Sequence, residues 1–326
     1  MMLKTINKQM DKAMPLITPI SVVIGVLLAE HLTDYTFLVP WIFAFITFAG
    51  SLGSNFKSLQ RVVTHPLPIF IVLIILHVLM PIWAWALGHL VFRGDAFTIT
   101  GLVLSVVIPT GVTSMIWLSI YKGNAVLALT IILIDTLLSP FIVPYSVALF
   151  GGGSIEMDMW SMVKGLIGMV VLPSMLAMFL NQTTKGKIKT SLSPRLAPFS
   201  KLSVGIVVIL NSSKIAPYLT HFDKKLIIMT FLVLFIAASG YALSWIIGKL
   251  LKWEKEDVIT LTFTGGMRNI SAGAVLATTY FPAAVAVPVV LGMLFQQMLA
   301  SFFGYSLDKY YHRRFSKIKS DGFFKT

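Results

Sequence analysis

Three ionisable side chains stand in segments that otherwise read as lipid-soluble. Arg268 lies in TFTGGMRNIS (262–271), Asp135 in LTIILIDTLLSP (129–140), and His77 in the third long apolar run. An ionisable group inside hydrocarbon costs at least ~2.5 kcal/mol unless it is partnered, so such groups mark ion paths, proton relays or counter-charges for a ligand. Of thirteen acidic residues, Asp135 is the only one deep in an apolar stretch. Asp135 and Arg268 are therefore expected to answer each other. The pair would either pin the helices or act in coupling, with Arg268 in the place of a bound cation and Asp135 taking up and releasing a proton. His77 joins them as a candidate relay, although a lone membrane histidine commonly serves packing through one hydrogen bond.

Two apolar runs are interrupted, and the interruptions carry the remaining chemistry. SVVIPTGVTSMIW (105–117) places Pro109, Thr110, Gly111, Thr113 and Ser114 mid-run, and the second places Gly265, Gly266, Arg268 and Asn269 there. Proline removes a backbone donor and clashes with the preceding turn, and glycine lowers the cost of unwinding, so each run is predicted to split into two half-helices. Unpaired backbone at membrane depth is tolerated only where protein or a water-filled cavity surrounds it. Half-helices beginning near Thr113 and Asn269 would turn N–H groups and a positive dipole end toward a carboxylate. The predicted substrate site is thus Thr110, Gly111, Thr113, Ser114, Arg268 and Asn269. Thr264, Gln296 and Gln297 are candidate cavity residues, and interhelical amide bonding accounts for the two glutamines equally well.

The elements that position these residues follow from composition. Of 326 residues 56% are hydrophobic and 12% charged, with a mean hydropathy of +0.85; soluble domains carry about 25% charged residues. Stretches of about 20 apolar residues, enough to cross ~30 Å of hydrocarbon, occur at 14–32, 37–55, 66–92, 96–120, 124–150, 159–180, 199–219, 226–250, 257–280 and 283–307. The prediction is an all-α polytopic membrane protein with ten transmembrane helices. The net charge of +13 sits in short hydrophilic segments: Lys4, Lys8 and Lys12; Lys57 and Arg61; Lys122; Lys185, Lys187, Lys189, Arg195 and Lys201; Lys249, Lys252 and Lys255; and the tail. That pattern places both termini in the cytoplasm and the chain in the cell membrane, and it excludes a nucleic-acid role. Lys224 and Lys225 fall on the other side, as a statistical rule allows.

A Gly151–Gly153 run divides the spans into five and five. Five is odd, so repeats would be inverted, and the interrupted fourth and ninth spans then correspond. Paired interrupted helices point to a transport site. The organisation expected is a first repeat over 1–150, an inverted second over 151–310 and a basic tail over 311–326. With no cysteine and no histidine pair at metal-ligand spacing, no cofactor or resident metal is expected. An intramembrane aspartyl protease would need two deep carboxylates, and a serine hydrolase a GxSxG turn; the chain offers neither.

PTGVTSMIW…YKGN in the fourth span, DTLLSP in the fifth and FTGGMRN in the ninth resemble the bile acid:sodium symporter family, over about Met14 to Tyr310. The resemblance implies a panel of spans one, two, six and seven, a core of the other six, and substrate at the crossing of spans four and nine. It also implies organic anions, such as bile acids or pantoate, as cargo. The chain departs from the family where sodium is usually held: the bridging glutamate corresponds to Thr264, the following glutamine to Arg268, and a serine–asparagine pair to Ser114–Met115. Hydroxyl ligands fall at Ala128 and Ile132, and the third-span glutamine at Leu76, beside His77. Sodium is a hard cation that takes oxygen ligands, so the expectation is a secondary transporter of a small carboxylate, proton-coupled or sodium-independent. Sodium symport with a rebuilt site and cation/proton antiport through Asp135 are the alternatives.

Overall fold

Long apolar segments satisfy their backbone internally by forming helices, and helix dominates the computed structural model, which describes residues 16–54, 66–151, 158–220 and 223–322, with side chains to Tyr311. Lys4, Lys8, Lys12, Lys57, Arg61, His65, Gly152, Gly153, Glu156 and His221 lie outside the described residues, as do the side chains of the tail.

The helices are α1 (Leu16–Leu27), α2 (Val39–Ser51), α3 (Pro66–Val91), α4 (Ala96–Val107), α5 (Ser114–Tyr121), α6 (Ala125–Phe150), α7 (Met159–Thr183), α8 (Lys187–Ser191), α9 (Ser193–Thr220), α10 (Lys224–Leu250), α11 (Lys255–Gly266), α12 (Ile270–Tyr280) and α13 (Ala283–Gly322). A short helix over Ala29–Leu32 and a 3-10 turn over Thr33–Leu38 lead into α2. Among the described residues, seven helical segments are long and apolar enough to cross a membrane: Ala29–Ser51, α3, α6, α7, α9, α10 and α13 to Tyr311. α1, α4 and α12 are apolar but shorter.

Local sequence sets the ends. Asn124, Asp158 and Asp223 cap α6, α7 and α10 by accepting from the backbone N–H of Leu127, Ser161 and Leu226, each satisfying an orphan donor of a first turn. Asp95 caps α4 through Thr98 and also binds Lys225 Nζ at 2.7 Å, joining the starts of α4 and α10. Burial would raise its pKa, but Lys225 and Thr98 outweigh that and hold the carboxyl below the usual range. α13 continues past the expected end at Leu307 to Gly322, because polarity ends a membrane span but does not break a helix.

The helices form two groups. α2 packs on α7 and α9, while α3, α4, α6, α10, α11 and α13 pack among themselves. The groups meet largely through one end of the molecule. There α12 packs on α2, α7 and α9, α6 on α7, and α13 on α9, whereas α5 and α11 at the other end have α3, α6, α10, α13 and each other as main partners. The molecule is therefore clamped at the α12 end, while α5 and α11 make their main contacts within one group.

Candidate functional site

Both interruptions form where Pro109 and the glycine pair place them. α4 ends at Val107, with Ile108 in an extended conformation, and α5 starts after Thr113; α11 ends at Gly266 and α12 starts after Asn269. The two extended pieces cross and pair as one antiparallel bridge, Thr110 with Arg268. Asn269 N–H donates to Pro109 O at 2.8 Å, Gly111 N–H to Met267 O at 3.4 Å, and Thr110 Oγ1 to the carbonyls of Thr264 and Met267 at 2.7 and 3.0 Å. A Cβ on Gly111 would sit 2.8 Å from Arg268 O, so the close approach of the strands requires glycine. In this way each break answers the unpaired backbone of the other.

Arg268 is 4% exposed. Its Nε donates to Val106 O at 2.9 Å and its Nη1 to Gly265 O at 2.8 Å and Met267 O at 3.4 Å, while Gln296 Oε1 accepts from its backbone N–H at 3.1 Å. Val106 and Gly265 belong to the last turns of α4 and α11, whose carbonyls have no intrahelical partner and carry the negative dipole end. The guanidinium thus joins the carbonyl ends of both broken helices. Among the described residues the expected direct ion pair with Asp135 does not form: Nε and Nη1 lie on backbone carbonyls, and the carboxylate makes its contacts elsewhere.

Asp135, fully buried, is held elsewhere. Its Oδ2 accepts from Thr110 N–H at 2.6 Å and its Oδ1 lies 2.6 Å from His77 Nε2. His77 reaches it from a π-helical turn over Ile75–Leu79 of α3; such turns shift the register of a helix and recur at functional sites. His77 Nδ1 is buried and has no hydrogen-bond partner among the described residues. The carboxylate thus bridges an imidazole ring and a backbone donor at the crossing.

The other expected site residues divide. Thr110, Gly111, Ser114 and Asn269 already donate their backbone N–H groups within the protein. The Asn269 side chain caps α12 by accepting from Ala272 N–H at 3.4 Å. Thr113 sits half-buried at the start of α5 and caps no N–H with its side chain. The fully buried Ser114 Oγ has no hydrogen-bond partner among the described residues. Thr264 Oγ1 donates back to Thr260 O at 2.8 Å, and Gln297 accepts from Trp117 Nε1 at 3.0 Å.

A narrow cavity adjoins Arg268, lined also by Ser105, Gln296, Tyr241, Met80 and Ile236, with about 30 Å³ open to water centres. That holds a water or two, far below the ~300 Å³ of ordinary ligand pockets. Gln296 is in its wall; Thr264 and Gln297 are not. Sequence reasoning had no way to find Tyr241, Met80 or Ser105, whose residue types are ordinary in membrane helices, nor the carbonyls of Val106 and Gly265.

At three of the positions where the resemblance implies sodium ligands the side chains are apolar. Ala128 and Ile132 are buried and apolar, Leu76 is buried beside His77, and His77 itself is engaged by Asp135. Among the described residues no cluster of three His, Cys, Asp or Glu forms.

Crossed, interrupted helices with buried opposite charges in an apolar helical bundle define a membrane transport protein. The sequence agrees: residues 40–222 match the Sodium Bile acid symporter family model, and the chain belongs to that family. It is 57% identical over 297 residues to the uncharacterized protein YbaS of Bacillus subtilis (strain 168), covering 91% of this chain and 97% of the relative. It is 24% identical to an uncharacterized sodium-dependent transporter, YocS, of the same organism, covering 83% and 87%. To a probable chloroplastic sodium/metabolite cotransporter, BASS1, of Arabidopsis thaliana it is 25% identical, covering 78% and 63%. The protein is a multi-pass membrane transporter and not an enzyme.

Proposed function

We propose that the chain is a secondary active transporter of a small organic anion, moved by alternating access and coupled to protons or independent of sodium. One observation carries the reading: the guanidinium of Arg268 sits on Val106 O and Gly265 O. Carbonyl ends of broken helices are where transporters of this construction coordinate a cation, and here a covalently attached cation fills that role. A substrate carboxylate would meet the start of α5 at Thr113 and Ser114, close to Arg268 and Asn269, and Asp135 with His77 would carry the coupling proton. The reading takes ten spans, with α4 and α5 counted as one, α11 and α12 as another, and 16–32 as the first. Repeats over 1–150 and 151–310 would then be inverted, with the tail at 311–326 and both termini in the cytoplasm of the cell membrane.

Sodium symport is the second reading, favoured by the names of the two more distant relatives, and cation/proton antiport through Asp135 is the third. Proteoliposome uptake of a panel of monocarboxylates, with sodium and pH gradients imposed separately, tests all three. Replacing Na⁺ by K⁺ or choline is expected to leave uptake within about threefold, an effect below ~1 kcal/mol, while a pH gradient drives accumulation. A saturable sodium requirement overturns the proposal, and cation flux without anion uptake supports the antiporter.

A further inference from the structure

The seam between α9 and α12, at the clamped end, holds a charge that the proposed site does not use. Lys214 is half-buried on α9 and donates through Nζ to Thr278 O, in the last turn of α12. No carboxylate pairs with it among the described residues. One turn earlier on the same face of α9, Asn211 is 0% exposed; its Oδ1 accepts from Thr278 Oγ1 at 3.0 Å, and its Nδ2 has no acceptor among the described residues. A lysine serving only as an interfacial anchor would extend its amine to water, and a buried amide serving only to pack would not leave its donor unanswered. Lys214 Nζ donates to Thr278 and Asn211 Oδ1 accepts from it, and both lose that residue if α9 and α12 part.

We propose that Lys214 and Asn211 form a second anion-contact station, which binds the carboxylate or sulfonate of an organic anion when the α9–α12 seam opens. In the closed state Thr278 occupies the station, its carbonyl accepting from Lys214 and its hydroxyl donating to Asn211, so the seam is sealed by the same two side chains that later meet the cargo. α12 spans Ile270–Tyr280, and at about 1.5 Å per residue it separates the crossing from the station by roughly 14 Å. An anion would then have one cationic contact at each end of α12: Arg268 at the crossing and Lys214 at the mouth. The identity of the anion rests on the proposed transport function; the charge selectivity of the station does not.

The chain contains no cysteine, so a single Ile215→Cys, one turn beyond Asn211 on its face, reports on the seam. The membrane-embedded full-length protein is treated with methanethiosulfonates of similar size, one carrying a sulfonate and one a trimethylammonium. The anionic reagent is expected to react at least about tenfold faster, the bias to vanish in Lys214→Met and to survive in Lys214→Arg, and taurocholate or pantoate to slow the reaction. Absence of labelling, or labelling without charge bias, overturns the station and leaves Lys214 as a cap on α12. Bias without uptake of any anion would retain the station and reject the transport reading; uptake without bias would do the reverse. Lys214→Arg also guards against misfolding, because it keeps the charge and the cap.

Discussion

The two interruptions lie against each other, yet they handle charge in opposite ways. The break between α4 and α5, over 108–113, contains no ionisable residue and borrows its negative partner, Asp135, from α6 through Thr110 N–H. The break between α11 and α12, over 267–269, carries Arg268 within itself and uses it on Val106 O and Gly265 O. In one the charge belongs to a neighbour and can be neutralised by a proton; in the other it is permanent, since arginine does not deprotonate in proteins. Under the proposed function, the first break would then carry the switching and the second the fixed attraction.

The largest expected effect comes from removing the fixed charge. Arg268→Gln leaves two buried helix ends without their donor and deprives an anion of its nearest cation. Truncating one member of a buried charged hydrogen-bond set costs ~2–5 kcal/mol, so anion binding measured by equilibrium dialysis should fall at least about thirtyfold, with a lower melting temperature. Arg268→Lys should restore less than half of the uptake, because a single ammonium does not reproduce the planar fork. Unchanged binding in Arg268→Gln would make the arginine a structural pin and dissolve the contrast between the breaks.

Neutralising the borrowed charge should act differently. Asp135→Asn keeps the shape and a hydrogen-bond acceptor for Thr110 N–H but removes the group that takes a proton. Substrate binding is expected to persist within about threefold, while net uptake falls about tenfold and its pH profile flattens. His77→Gln should flatten the same profile with a smaller loss of rate. A normal profile in Asp135→Asn would remove switching from the first break.

The smallest effect concerns the glycines that let the breaks meet. A Cβ at Gly266 would lie 2.4 Å from the Tyr241 ring, and one at Gly111 would lie 2.8 Å from Arg268 O. The first neighbour is a ring in a fully buried side chain; the second is backbone of the opposite break. Each alanine substitution is expected to cost ~1–3 kcal/mol of stability by overpacking, read as a lowered midpoint in thermal melts in detergent. Gly111→Ala should lose uptake beyond what its lowered stability explains, and equal ratios of uptake to stability for the two variants would show that the crossing tolerates being prised apart.

Much of the fold was legible because hydropathy and punctuation are local. The apolar run at 124–150 became Ala125–Phe150, that at 159–180 became Met159–Thr183, and Pro109 and Gly265–Gly266 located the breaks. Arg268, Asp135 and His77 were legible as chemistry for the same reason, since charge is conspicuous against an apolar background. Their partners were not. Val106 O and Gly265 O are backbone atoms, identical at every residue, and become special only when a helix stops there. The contact between His77 and Asp135 depends on how α3 turns relative to α6, which composition does not encode.

The π turn over Ile75–Leu79 gives that last contact a further meaning. Successive residues of an α-helix are set about 100° apart, so a widened turn advances the phase of everything beyond it relative to everything before. α3 can therefore bury Ile69 and Val72 ahead of the turn and Met80 and Ala84 after it, while the ring between them is aimed by a dislocation in the winding. The bearing of His77 is a property of a whole helix's phase, and any change that rewinds this turn rotates the histidine away from its carboxylate without altering a single residue that touches it.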